Sequence, residues 1–199
     1  MRVLIACEYS GTVRDAFLRR GHDAMSCDLL PTDVPGPHYQ GDVFDIINDG
    51  WDLMIAHPPC THLSVAGNRY WKEKKADGRQ QAAIDFVKKL FESDIQKICV
   101  ENPVGILSTV WMKPTQYIDP FYFGEPYRKK TGLWLKNLVP LKPTDMVKPT
   151  TYWVNGGSNY RKNKDDKRPK LEAGMHRDWK LRSKTFQGIA DAMAEQWSA

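Results

Sequence analysis

At 199 residues, with 41% hydrophobic content and seven tryptophans, the chain is long enough to enclose one well-packed core, which excludes disorder throughout. No apolar run approaches a membrane span, and Arg2-Val-Leu-Ile-Ala6 enters a strand pattern at once rather than a secretion signal, so a cytoplasmic protein without a membrane partner is expected. The net charge of +5 is unevenly spread: residues 128 to 184 hold 16 Lys/Arg against 5 Asp/Glu, and the remainder 13 against 19, the pattern of a region that meets a polyanion or of a solvated basic loop.

Arg2 to Cys7 reads as a first buried strand, and Ser10-Gly11-Thr12 then opens a helix whose Val13, Ala16 and Phe17 share one face. His22 to Cys27 gives a second strand ending at Asp28. That is about 20 residues past the first turn, where nucleotide-binding α/β folds place an acid on ribose hydroxyls; a plain turn residue is the alternative. After a loop rich in proline, Pro31 to Pro37, Gly41-Asp42-Val43-Phe44 reads as a brief third strand edge.

Leu53 to Ala56 is a short apolar strand that stops at Pro58 and Pro59, neither of which can donate to a sheet ladder, so Cys60 is displayed just past a strand end. The other cysteines, Cys7, Cys27 and Cys99, read as packing residues; with no C-x-x-C pair, neither a metal site nor a disulfide framework is expected. His57 and His62 flank Cys60, each either a base that helps form a thiolate or a polar surface side chain. Residues 61 to 75 read as a polar loop whose Trp71, Lys72, Lys74 and Lys75 flank a substrate or face solvent.

From Asp77 to Ser93 the stripe of Ala83, Phe86, Val87, Leu90 and Phe91 predicts a helix covering the sheet. Ile95 to Val100 is the next buried strand, with Glu101-Asn102-Pro103 at its end. Gly132 to Leu138 reads as a strand, and Ser183 to Trp197 as a closing helix buried along Ile189, Ala192, Met193 and Trp197. The alternation over 1 to 107 predicts an α/β fold, a parallel Rossmann-like sheet with helices on both faces. Residues 1–112 and 183–199 would form its body, and 113–182 a basic, aromatic and irregular excursion.

A thiol and a carboxylate at neighbouring strand ends suit attack on an electron-poor ring: the thiolate adds, and the acid protonates the nitrogen that gathers charge. These motifs, in this order, resemble the cytosine-C5 DNA methyltransferase family. Asp52 to Ser64 is similar to its Pro-Pro-Cys motif with trailing serine, and Glu101-Asn102-Pro103 to its Glu-Asn-Val motif, with Pro103 in place of valine. Gly41-Asp42-Val43 resembles the element whose aspartate contacts the adenine of S-adenosylmethionine. Phe186-Gln-Gly-Ile-Ala-Asp-Ala192 resembles the last motif, with Ile189 where asparagine is usual. The first turn departs further, with one glycine where the family has a glycine-rich loop.

The resemblance implies an S-adenosylmethionine-dependent methyltransferase fold and methylation of cytosine C5 in DNA. Cys60 would add to C6, Glu101 protonate N3, Asn102 hold the Glu101 loop, Pro59 shape the nucleophile turn and Arg128 contact the flipped base. The cofactor would lie on Cys7, Glu8, Tyr9, Ser10, Gly11, Asp28, Leu29, Asp42, Val43 and Pro58. Arg161, Lys162, Lys164, Lys167, Arg168 and Lys170 would hold the phosphate backbone, with Tyr152, Trp153 and Tyr160 nearby. The family has no histidines beside its cysteine, which favours surface roles for His57 and His62. Family members also carry a large target-recognition domain where about fifty residues stand here. Two rivals therefore remain: an enzyme acting on a free cytosine nucleotide, and a catalytically silent DNA-binding protein on the same fold.

Overall fold

The computed structural model describes residues 1–153 and 179–198. In chain order the elements are β1 (Arg2–Ala6), α1 (Thr12–Arg19), β2 (Asp23–Asp28), β3 (His38–Gln40), β4 (Leu53–Ala56), α2 (Trp71–Ala76), α3 (Arg79–Phe91) and β5 (Lys97–Pro103). There follow α4 (Leu107–Val110), β6 (Gln116–Ile118), β7 (Tyr127–Arg128), β8 (Thr131–Lys136), β9 (Thr151–Tyr152), α5 (Trp179–Ser183) and α6 (Gln187–Gln196). Seven strands make one sheet in the order β3-β2-β1-β4-β5-β8-β6. The first five are parallel, whereas β8 runs antiparallel to both β5 and β6.

Why β1 and β4 lack polar alternation is plain from the layers: a parallel sheet with helices on both faces buries every side chain of its central strands. Val3, Ile5, Leu53, Ile55 and Cys99 pack on the face covered by α1 and α6. Leu4, Ala6, Met54, Ala56, Ile98 and Val100 pack on the opposite face, under Ile84, Val87 and Leu90 of α3. The parallel strands order themselves as 3-2-1-4-5, so the chain turns back on itself between β1 and β4, where a doubly wound sheet opens a crevice at its carboxyl edge. The loops bearing Cys7 and Cys60 leave the sheet side by side at that crevice.

Several expectations shift on inspection. The third strand is His38–Gln40, and Gly41 and Asp42 lie just beyond it, because Asp42 caps a short 3-10 turn over Val43–Asp45 by accepting from Phe44 N. Residues 61 to 75 are largely helical rather than a loop: a 3-10 turn over Val65–Tyr70 runs into α2. Glu101 and Asn102 belong to β5 itself, since β8 pairs beyond Val100, matching Glu101 with Leu133, Asn102 with Gly132 and Pro103 with Thr131. The closing helix begins at Gln187 rather than Ser183, which ends the separate short α5, and Phe186 just before it is extended. β6 and β8, within the expected excursion of 113–182, are strands of the main sheet.

Candidate active site at the carboxyl edge of the sheet

The backbone of His57 continues the β4 ladder by donating to Ala6 O at 2.9 Å; Pro58 is then buried and Pro59 exposed. Cys60 opens a turn in which its carbonyl accepts from Leu63 N at 3.0 Å and Ser64 N at 2.9 Å. Leu63 is wholly buried and anchors that turn in the core. Four further hydrogen bonds hold it. Val65 N donates to Val104 O at 3.0 Å and Ile106 N to Leu63 O at 2.9 Å, which clamps the turn onto the segment after β5. Gly105 permits this approach, since a Cβ there would lie 2.1 Å from Leu63 O. Buried Lys74 donates to Thr61 O at 2.6 Å, and Gln80 to His62 O at 3.3 Å.

The acid is tied to the same turn. Asn102 donates from Nδ2 to Pro58 O at 2.9 Å, so the amide of the Glu-Asn pair holds the nucleophile turn rather than the Glu101 backbone. Glu101 Oε2 lies 3.3 Å from His57 Nδ1, with the two side chains only 17% and 8% exposed. That burial removes His57 from the surface role expected of it. Lys129, Thr131, Thr185 and Phe186 share a small cavity with Glu101. Burial alone pushes the Glu101 carboxyl up, but the hydrogen bond from His57, the charge of Lys129 and the neighbouring Thr131 outweigh it and hold the carboxyl below its ordinary range. The Cys60 thiol moves the other way: burial first and the Glu101 charge second raise it, against weaker pulls from Lys129 and Arg182. Glu101 ionised beside a protonated thiol is the resting state at neutral pH.

Across the crevice, the loop after β1 is built differently. Cys7 takes a left-handed backbone with φ 59° and Gly11 one with φ 74°, the latter made for glycine. Glu8, buried, accepts from Val13 N at 2.7 Å, Arg14 N at 3.3 Å and Ser10 Oγ at 3.1 Å, so its carboxylate caps α1. The Cys7 thiol is raised by burial and then by the charges of Asp28, Cys27 and Asp42. Half-buried Asp28 accepts from Leu30 N at 2.9 Å, and burial pushes its carboxyl up. Leu29 is 74% exposed, whereas Val43 is buried and Asp42 exposed.

Arg14, fully buried, reaches Ser26, Thr32, Val34 O and Pro35 O, and so fastens the proline-rich loop to α1. The segment 180–185 crosses above: Tyr9 Oη donates to Lys180 O at 2.8 Å, Lys184 Nζ meets Asp33 at 2.7 Å, and Thr185 Oγ1 lies 3.5 Å from His57 Nδ1. It straps together the ends of β1, β2 and β4.

Cys60, Glu101, Asn102 and Pro58 are thus brought together, with Cys7 to Gly11 and Asp28 across the crevice. Arg128 stands apart, its guanidinium 5.1 Å from the Phe121 ring centroid, while the next residue, Lys129, is the cation whose charge reaches both Cys60 and Glu101. Arg161, Lys162, Lys164, Lys167, Arg168 and Lys170, with Tyr160, lie outside the described residues. His62 is drawn down by burial and by Lys74 and Arg79 and is not tied to Cys60 by any hydrogen bond among the described residues. Lys74, read as flanking a substrate or facing solvent, is buried and holds Thr61 O, and sequence reading missed Arg14, Gln80, Lys129 and Thr185. Only the last had a local signal, its place just before Phe186 and the last motif. Among the described residues no cluster of His, Cys, Asp or Glu is placed to hold a metal, and no helix is long and apolar enough to cross a membrane. No protein-family model matches the chain, and no curated protein matches it.

Proposed function

We propose that the chain transfers a methyl group from S-adenosylmethionine to C5 of cytosine in DNA, with Cys60 as the nucleophile. The observation that carries this reading is the Asn102 to Pro58 hydrogen bond, which locks the thiol-bearing turn and the Glu101-bearing strand into one unit. A structural cysteine has no need of such a tie to a buried ionised acid.

The β1 side of the crevice fits the cofactor. At the start of the first helix, nucleotide-binding sheets usually seat a phosphate; here the Glu8 carboxylate already accepts those backbone N–H groups. A phosphate would meet a negative charge, whereas a cationic sulfonium bearing a nucleoside and no phosphate would not. Asp28 would take ribose hydroxyls, exposed Leu29 would cover an adenine face, and Cys7, Tyr9, Ser10 and Gly11 would line the amino-acid end, with Asp42, Val43 and Pro58 at the margins. Bound there, S-adenosylmethionine supplies an electrophilic methyl carbon.

The chain's own residues would act as follows. Cys60 gives up its thiol proton to a water in the crevice, from which Glu101 takes one, and as thiolate forms the Sγ–C6 bond; the C5=C6 pair moves to C4=C5 and the C4=N3 pair to N3, which takes that proton from Glu101. C5, now electron-rich, takes the methyl group. Loss of the C5 proton to solvent, return of the N3 proton to Glu101 and expulsion of Cys60 restore the aromatic ring. The base must leave the duplex to reach a thiol held this deep.

Incubation with methyl-labelled S-adenosylmethionine and mixed-sequence DNA tests the reading. Label should enter DNA with the native chain, fail to enter with Cys60→Ala and enter slowly with Glu101→Gln. DNA containing 5-fluorocytosine should be trapped as a covalent adduct. Label entering with Cys60→Ala as with the native chain overturns the nucleophile assignment. Label confined to dCMP or dCTP transfers the reading to a free cytosine nucleotide, and DNA binding without any transfer makes the chain a silent binder.

A further inference from the structure

We infer that the crevice takes its cytosine from single-stranded DNA, with Tyr70 and Tyr117 as platforms for the bases on either side of the target, an inference that rests on the methyl-transfer reading above. Among the described side chains these two are the aromatic rings left exposed, at 45% and 39%. Neither ring stands alone. The Arg69 guanidinium carbon lies 4.5 Å from the Tyr70 ring centroid, and Lys130 Nζ lies 4.4 Å from that of Tyr117. Arg69 and Lys130 are exposed and, among the described residues, in no salt bridge. The acids of the same segments are engaged elsewhere: Arg79 takes Glu73 and Asp77, and buried Asp119 accepts from Lys129 N at 2.9 Å.

The two rings bracket the Cys60–Glu101 pair. Tyr70 ends the 3-10 turn that begins after Ser64, and Lys74 folds it back toward the thiol: its Nζ donates to Thr61 O at 2.6 Å and lies 5.8 Å from the Tyr70 centroid. Tyr117 stands on the other flank. It pairs with Gly132 of β8, which pairs with Asn102 of β5, so it lies two strand spacings, about 10 Å, from the residue after Glu101. That is too far for the target base and suits a neighbour. Lys130, against the Tyr117 ring, directly follows Lys129, which shares the small cavity with Glu101.

Paired bases in a duplex hide their faces against one another and offer side chains only edges and phosphates. A protein ring reaches a base face only where the base is unstacked, and such stacking beside a cation holds single strands without regard to sequence. A ring and a cation on each side of the thiol therefore fit an unpaired strand. The target enters between Cys60 and Glu101, its neighbours lie on Tyr70 and Tyr117, and Arg69 and Lys130 meet the phosphates between them. No base pair has to be opened.

Methyl transfer by the full chain to a short single strand holding one cytosine, and to the same strand in duplex, tests this. The single strand should give a kcat/KM about tenfold or more above the duplex, since it spares the cost of unpairing. On it, Tyr70→Ala and Tyr117→Ala should each raise KM about 5- to 150-fold, the worth of one base stacked on a ring, with kcat at saturating DNA within about twofold. Tyr70→Phe and Tyr117→Phe, which keep the ring, should stay near the native KM. Removing the base on one side of the cytosine should raise the native KM by a similar factor and add nothing in the alanine variant that serves that side. Equal kcat/KM on duplex and single strand, or a native KM in both alanine variants, overturns the inference. If the native chain labels no DNA and forms no 5-fluorocytosine adduct, the methyl-transfer reading has failed instead, and fluorescence anisotropy of dye-labelled single strand and duplex decides the surface. Tighter binding of the single strand, weakened in both alanine variants, upholds it; binding that both variants leave unchanged overturns it.

Discussion

At the β1 end of the crevice the buried Glu8 carboxylate accepts two backbone N–H groups and a serine hydroxyl, all within six residues of its own position. At the β5 end Glu101 is held by the side chains of His57, Lys129 and Thr131, brought from two other segments. The residue type, the sheet edge and the burial are alike, yet the uses differ. Backbone donors at a helix start are fixed, so Glu8 is fully committed to capping. The partners of Glu101 are side chains from elsewhere in the fold, so its state depends on tertiary packing rather than on a local helix start.

Exchanging the two acids would break this contrast most directly. Glu101→Gln should cost about 10²- to 10⁴-fold in kcat, the usual range for a lost general acid, with the urea midpoint almost unchanged. Glu8→Ala should do the reverse. It strands the Val13 and Arg14 N–H groups without an acceptor, at about 1–3 kcal/mol, measured by urea unfolding, while cofactor-saturated kcat stays within a few-fold. An active-site loss for Glu8→Ala without a stability loss would show that the two acids share one role.

The same contrast explains what could be read from the chain. Pro58-Pro59-Cys60, Glu101-Asn102 and the Asp28 strand end are each contiguous, and the apolar runs before them place them at a sheet edge. The partners that set their behaviour come from afar: Thr185 reaches His57 across 128 positions, and Glu101 reaches it across 44. Strand periodicity carries no information about such pairings. The β5 boundary was misplaced for a similar reason, since pairing with β8 extends the strand beyond its apolar run. Lys129 in place of Arg128 is a matter of one step: Arg128 ends β7 and Lys129 opens the turn before β8, so in a basic tripeptide one cation is easily exchanged for the neighbour whose charge reaches the site.

A smaller effect is expected where the two sides of the Glu101 unit are pressed together. Gly105 has no positive φ, so Gly105→Ala acts through space alone: the added Cβ meets Leu63 O and must push the Cys60 turn away from the end of β5. Overpacking of this kind costs about 1–3 kcal/mol. A displacement of the thiol by 1 Å lowers kcat about 10²-fold. Since Glu8 and α1 do not touch this contact, cofactor binding by calorimetry should be unaffected, which confines the damage to the Glu101 side. Equal loss of cofactor affinity would mean that the crevice moves as one body.

The smallest effect reports on the charges around the thiol. Burial is the main cause of the raised Cys60 thiol, with Glu101 the next, while Lys129 pulls it down. Only the thiolate reacts with iodoacetamide, so the alkylation rate at a fixed mildly alkaline pH follows the thiolate fraction. Glu101→Gln removes a negative neighbour; the thiol falls back toward its ordinary value, and alkylation should quicken. Lys129→Ala removes the opposing cation, the thiol rises further, and alkylation should slow. Arg128→Ala, whose guanidinium lies over Phe121, should leave the rate where it is. Since Glu101→Gln is expected to lose most methyl transfer, a faster-reacting thiol in that variant would separate thiolate formation from ring protonation. A rate that falls in Glu101→Gln would instead make Glu101 the base that takes the Cys60 proton, a role that the backbone-committed Glu8 carboxylate is not free to play.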